Sequence, residues 1–179
     1  MATHDRPHMI ATAVPEPAVP VPILLGLGAN QGQRRHNLEA ALDRLAPNCG
    51  PFIRSSIYET PPWGDPNQPW FLNLVVLGQT RLAPMVLLER LKAVEAQLGR
   101  RPTHRWGPRV IDIDLLAYGD ALIDSPELTV PHPRLHERGF VLVPLVEIMP
   151  EWRHPALGRT AAELLAELPP SETSGIKRL

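Results

Sequence analysis

Val110-Ile111-Asp112-Ile113-Asp114-Leu115-Leu116 is the stretch on which the fold turns. Its alternation reads as a β-strand with one half-polar face, because successive side chains on a strand point to opposite sides. Upstream lies a basic loop holding Arg100, Arg101, His104, Arg105 and Arg109. Before that, Pro84 is placed to open a helix, Leu87, Leu91, Val94 and Leu98 mark one apolar face, and Gly99 stops it. Further back, Leu72 to Thr80 and Phe52 to Glu59 read as strands. They are separated by the proline- and aromatic-rich Thr60 to Trp70, which is too long for a simple hairpin turn. Leu38, Ala41, Leu42 and Leu45 recur at helical spacing, so a helix is expected over Arg35 to Leu45. Ile23 to Leu27 reads as a strand that breaks into a turn at Gly28-Ala29-Asn30-Gln31-Gly32. Downstream, 129–149 is loop followed by an apolar segment interrupted by Pro144. Thr160 to Leu168 is a short helix.

The order is β-α-β-β-α-β, which predicts an α+β, ferredoxin-like core: an antiparallel sheet with helices packed on one face, plus extra helical segments. Pro15, Pro17, Pro20 and Pro22 make residues 1–20 a proline-rich, disordered tail. Residues 21–170 are expected to form a single domain, and 171–179 a frayed C-terminus.

Composition narrows the function. The chain has 179 residues and a formal net charge of -1, from 18 basic and 19 acidic residues. That balance exerts no overall pull toward nucleic acid or membrane, so any anion site must be a local basic cluster. The lone cysteine, Cys49, excludes an intramolecular disulfide and reads as an incidental thiol in a turn. No apolar run can span a bilayer, and Met1 to Pro22 lacks a signal peptide's charged and apolar regions. A cytoplasmic protein is expected.

The sharpest chemical signal is the pair Asp112 and Asp114. Two bare carboxylates on one strand face repel, and a cation between them relieves the repulsion. Oxygen-only ligands at this spacing suit Mg²⁺ held together with substrate phosphates. An isolated Asp-x-Asp more often lies solvated on an edge strand. Here Arg100, Arg105 and Arg109 lie nearby, and the guanidinium fork matches phosphate oxygens. The ordinary alternative is surface arginines paired with glutamates such as Glu95. The sequence lacks a P-loop pattern. Gly26-Leu27-Gly28 lacks the third glycine of a dinucleotide loop and reads as a turn. Trp63, Trp70 and Phe71 could stack on a flat heteroaromatic ring whose edge Asn73 reads, or simply anchor a long loop; composition leaves the two even. His132, Arg134, His136, Arg138 and Phe140 form a cluster suited to phosphate contacts. A zinc site at His132 and His136 is weak, since nothing completes a tetrahedral set.

Five stretches carry a resemblance: Gly26-Leu-Gly-Ala-Asn, Tyr58-Glu-Thr-Pro-Pro-Trp-Gly, Phe71-Leu-Asn, Arg105-Trp-Gly-Pro-Arg-Val-Ile-Asp-Ile-Asp-Leu-Leu, and Val130-Pro-His-Pro-Arg-Leu-His-Glu-Arg-Gly-Phe. In this order, over about Ile23 to Trp152, the chain resembles the 6-hydroxymethyl-7,8-dihydropterin pyrophosphokinase family of folate biosynthesis. The resemblance implies transfer of pyrophosphate from ATP to the pterin hydroxymethyl group, with AMP leaving. It implies that Asp112 and Asp114 hold two Mg²⁺ ions bound with ATP, and that Arg100 and Arg109 act with them in catalysis. Thr60, Pro61, Pro62, Trp63, Phe71, Asn73 and Phe140 are implied for the pterin pocket, with Phe71 and Phe140 sandwiching the ring. Glu95, Arg100, Arg105, Trp106, Arg109, Ile113, His132 and Arg138 are implied for ATP, with Arg105 and Trp106 on a mobile loop that closes over the site. Two positions depart from the pattern. The family often has Arg-x-Arg where this chain has Arg100-Arg101-Pro102, and Pro133 stands where some members have an aromatic residue. A monomer acting on ATP and a small pterin, with no nucleic acid or membrane partner, is expected. The competing readings are a metal-dependent nuclease or nucleotidyl transferase, which calls for a basic channel, and a non-catalytic nucleotide-binding module.

Overall fold

The computed structural model describes residues 16–101 and 107–179. The chain runs through β1 (Val21–Ala29), α1 (Arg34–Cys49), β2 (Ile53–Arg54), β3 (Tyr58–Thr60), β4 (Phe71–Thr80), α2 (Pro84–Gln97) and β5 (Asp112–Tyr118). It continues through β6 (Ile123–Asp124), β7 (Thr129–Val130), α3 (Gly139–Ile148), α4 (Ala161–Glu167), α5 (Pro170–Thr173) and β8 (Lys177–Arg178). The main sheet has six strands in the order β5-β1-β4-β3-β8, with β2 also on β4, and its pairings are antiparallel. The β-α-β-β-α-β core is therefore present with its two crossovers, as the element order predicts. No helix among the described residues is long and apolar enough to cross a membrane.

Alternation along β1 divides the core. Ile23, Leu25 and Leu27 face α1 and α2, where they meet Leu38, Leu45, Leu87, Leu91 and Val94. Leu24 faces the other side, with Leu116 and Val75, under Leu142 and Leu145 of α3 and Leu164 of α4. Each fully buried leucine contributes about 1.5–3 kcal/mol by leaving water. The two helices of the core lie on one face, as expected, and the extra segments α3 and α4 cover the other. The second cover ends short of Gly26 and Gly28, and the site lies in that gap.

Three local readings also change. Gly26 to Gly28 lies inside β1 and makes no turn, because Asn73 on one side and Asp112 on the other pair with Gly28 in register. Cys49 is the buried last residue of α1, and burial pushes its thiol up to about 11, which keeps it unreactive. The expected strand over Phe52 to Glu59 is broken in two. Its register on β4 slips by one residue between the Arg54↔Val76 and Tyr58↔Asn73 pairs, as in a β-bulge.

The C-terminus, expected to fray, forms α5 and then β8, which pairs with β3. Glu147 of α3 ties this edge together. It accepts from Ser56 N at 2.8 Å, Ser56 Oγ at 2.7 Å and Tyr58 Oη at 3.1 Å, and pairs with Arg178 at 2.9 Å. α4 starts at a capping box, with Thr160 and Glu163 each bonding the other's backbone N–H.

Candidate active site

The floor of the site is the bare strip of β1. Register sets Asp114 opposite Gly26 and Asp112 opposite Gly28, while Asn73 and Val75 of β4 flank the same two glycines from the other side. Glycine leaves this part of the sheet uncovered, and a cleft opens above it. The close approach is specific at Gly28, where a Cβ would lie 2.5 Å from Asn73 Oδ1. The sequence reading did not assign these glycines to the site; the signal was Gly-x-Gly in a period-two strand, where both glycines share a face.

The acidic wall is β5. Asp112 Oδ1 accepts from Arg100 at 2.6 Å, and Asp112 Oδ2 pairs with Arg109. Burial pushes the pKa of Asp112 up, but Arg109 and Arg100 outweigh it and hold the carboxyl below its usual range. Burial and then the Asp112 charge push the Asp114 pKa up, against the pull of Arg138, whose guanidinium is 3.6 Å away. The pair fits Mg²⁺ by its chemistry. It offers oxygen donors only, on one face, and the repulsion that raises Asp114 is what a divalent cation relieves. Among the described residues no group of three or more His, Cys, Asp and Glu side chains could hold a metal. Two carboxylates completed by phosphates and water are the set that Mg²⁺ accepts.

Behind this wall Glu95 is buried at 2% exposure. Its carboxylate accepts from Ile113 N at 2.7 Å, pairs with Arg100 and lies 3.3 Å from Lys92 Nζ. Arg100 is therefore shared between Glu95 and Asp112, so the surface-pairing alternative and the site reading meet in one residue. Ile113 points its side chain into the core under α1 and α2, away from the cleft. Its 1% exposure leaves only backbone for a ligand.

The opposite wall comes from the loop after β3 and from α3. Thr60, Pro61, Trp63, Phe71, Asn73 and Phe140 all border the cleft. Asn73 Nδ2 donates to Thr60 Oγ1 at 2.7 Å, and this bond aims the Asn73 carbonyl over Gly28. Pro62 does not border the cleft. Trp70, offered as a stacking residue, is also outside it: its ring carries Lys177 at 5.6 Å, and its carbonyl accepts from Arg34 at 2.7 Å. Arg138 joins the walls, with its guanidinium 5.2 Å from the Trp63 ring and 5.4 Å from Phe140.

His132 borders the cleft, whereas His136 lies outside it against His154. Burial, then Arg138, lowers the His132 pKa to about 4, so the imidazole is neutral at pH 7. Its Nδ1 accepts from Arg134 N at 3.1 Å, which places the proton on Nε2. Arg105 and Trp106 lie outside the described residues.

Asn30 was missed as a linker. It is 3% exposed, and its Oδ1 accepts from Arg109 N at 2.7 Å. Its Nδ2 donates to Gln68 Oε1 at 2.9 Å and to Pro69 O at 3.1 Å. One amide thus joins the arginine-bearing segment to the loop that carries Trp63, using its carbonyl as acceptor and its NH₂ as donor at once.

The chain is 48% identical over 157 residues to the 2-amino-4-hydroxy-6-hydroxymethyldihydropteridine pyrophosphokinase of Methylorubrum extorquens, covering 87% of this chain and 96% of that protein. It is 41% identical over 159 residues to the protein of the same name from Pseudomonas aeruginosa, covering 88% and 96%. Among solved structures, the wild-type HPPK-DHPS of Plasmodium falciparum superposes with a TM-score of 0.66 at 18% identity. That match covers 83% of this chain and 45% of the longer one, so it speaks to the fold alone. Residues 24–150 match the family described as 7,8-dihydro-6-hydroxymethylpterin-pyrophosphokinase (HPPK), and the chain belongs to that family.

Proposed function

We propose that the cleft over Gly26 and Gly28 is where this enzyme joins MgATP to a pterin, with Asp112 and Asp114 holding two Mg²⁺ ions. The reaction is that of the family: pyrophosphate passes from ATP to the hydroxymethyl group of 6-hydroxymethyl-7,8-dihydropterin, AMP leaves, and the product serves folate biosynthesis. The observation that carries the site assignment is the register of β5 on β1, which sets both carboxylates beside a floor without side chains. When bound, Mg²⁺ lowers the negative charge of the triphosphate that otherwise repels the attacking hydroxyl.

The chain's own residues do the rest by position and charge. Phe71 and Phe140 border the same cleft as Asn73, which suits a flat ring held between aromatic faces. The Asn73 carbonyl, aimed by Thr60, reads the ring edge. Arg100 and Arg109, already drawn to Asp112, transfer part of their pairing to phosphate oxygens when ATP enters, and stabilise charge on the transferred group and on AMP. His132 donates from Nε2 to a phosphate without adding a full charge. Arg138, between Asp114 and the aromatic wall, touches both substrates' spaces. Glu95 orients Arg100, and Ile113 contributes backbone. Arg105 and Trp106 complete the ATP side. No side chain is assigned as general base; orientation and electrostatics supply the acceleration.

The same reading makes the protein a cytoplasmic monomer that uses neither nucleic acid nor membrane, in keeping with a formal charge of -1. The test is to incubate the protein with Mg²⁺, ATP and 6-hydroxymethyl-7,8-dihydropterin and to identify products by mass. AMP and the pterin diphosphate, formed in equal amounts and without nucleic acid, are expected. ADP with a pterin monophosphate, or AMP release without a pterin, overturns the reading.

A further inference from the structure

The C-terminal segment lies beyond residues 24–150, yet it packs directly behind the wall that carries Trp63. α5 sits on the start of α3 so closely that a Cβ on Gly139 would overlap the carbonyl oxygen of Glu172. Only a residue without a side chain lets the two backbones touch there. β8 then pairs with β3, setting Lys177 opposite Glu59 beside Thr60. Gly175, at φ +79, turns the chain beneath Trp70 and Pro61. Between these anchors Glu172 Oε2 accepts from Trp63 Nε1 at 3.3 Å.

We propose that Glu172 is a positioning residue for the pterin, acting through Trp63; this rests on the reading of Trp63 as part of the pterin wall. Among the described residues two arginines beside the indole, Arg134 at 5.4 Å and Arg138 at 5.2 Å, attract its π face. That attraction is broad in angle and tolerates rotation of the ring. The indole N–H is the ring's single polar donor and is directional. A carboxylate acceptor fixed by α5 therefore selects one ring orientation, and the charge on the acceptor strengthens the bond. Glu172 does not border the cleft, so its influence on a ligand passes through the indole. The C-terminal strand and α5 become part of the pocket's support, although they bring no group to the reacting atoms.

The test compares Glu172→Leu, which removes the acceptor at similar size, Glu172→Gln, which keeps an oxygen acceptor, and Trp63→Phe, which removes the donor. KM for the dihydropterin, KM for MgATP, kcat and the ¹⁵N-indole resonance of Trp63 are measured for each. Glu172→Leu is expected to raise the pterin KM roughly three- to tenfold, the size of one lost hydrogen bond. It should shift the Trp63 indole resonance and leave kcat and the MgATP KM unchanged. Glu172→Gln should restore both readouts, and Glu172→Leu should add nothing in a Trp63→Phe background. If Trp63→Phe raises the pterin KM but Glu172→Leu leaves KM and resonance unchanged, the positioning role is overturned and the pocket reading stands. If Trp63→Phe leaves the pterin KM unchanged, the pocket reading fails and takes the role of Glu172 with it. A general loss in which all parameters worsen together and glutamine gives no rescue assigns Glu172 to stability alone and overturns the proposal.

Discussion

Asp112 and Asp114 share one face of β5, opposite Gly28 and Gly26, and their surroundings drive their acidities in opposite directions. Both are partly buried. Asp112 has Arg100 and Arg109 on its two oxygens, whereas Asp114 has Arg138 at 3.6 Å and a charged neighbour two residues away. The same residue type, on the same face of the same strand, is thus stabilised at one position and strained at the other.

The asymmetry predicts opposite effects on stability. The folded pKa of Asp114 is raised, so its ionisation opposes folding, and that cost is fully present at pH 7. With its side chain 33% exposed and the shift discounted for screening, Asp114→Asn should stabilise the metal-free protein by about 1 kcal/mol. Asp112→Asn should destabilise it by roughly 1–3 kcal/mol, because two partly buried arginines lose their charged partner. Both should lose turnover by about a hundredfold or more. Thermal melts in chelator at pH 7 check the signs; a shift of the same sign in both variants contradicts this account.

His132 gives the pH dependence. Its folded pKa of about 4 lies below the unfolded value of 6.5, so on acidification the unfolded chain takes up a proton that the folded one refuses. The resulting stability is complete above about pH 6.5 and is lost as pH falls toward 4. His132→Gln should flatten this part of the stability profile. Denaturant titrations of both proteins at pH 7, 6, 5 and 4 are the check, and parallel curves count against a neutral, buried His132.

Gly28→Ala tests the bare floor. The new methyl group meets Asn73 Oδ1, and that side chain can move only by breaking its bond to Thr60. The pterin KM should rise about tenfold or more, the MgATP KM much less, and stability should fall by about 1–2 kcal/mol. The same substitution at Gly26 meets only the end of the Leu116 side chain, at 3.3 Å, and should be milder for the pterin. Equal pterin KM values for the two variants would remove the special place given to Gly28.

Deleting residues 1–20 should leave kcat and KM within about twofold and the melting temperature nearly unchanged. β1 begins at Val21, and among the described residues of this segment Ala18 O accepts from Arg81 Nη1 at 2.6 Å, on the surface. A drop of several degrees would place the segment among the elements that hold the domain together.

Local periodicity determined much of this by itself. The alternation of Val110 to Leu116 is a property of neighbouring residues, so the shared face of Asp112 and Asp114 was legible without any partner strand. The spacing of Leu87, Leu91 and Val94 likewise marked the buried face of α2, and Gly99, at φ +89, marked its end. What the sequence left open depended on residues far apart in the chain. Gly26 and Gly28 read as a turn until the register of β4 and β5 showed them as the floor between Asn73 and the aspartates. Arg100 was equally consistent with Glu95 or with the site, and the fold gave it both. Arg138 reaches Asp114 across 24 positions, and Glu172 reaches Trp63 across 109. Side-chain direction along one strand or helix is set by backbone geometry within a few residues. Register, the face a helix covers and the partner of a charge are set by burial summed over the whole chain, so only the tertiary structure decided them.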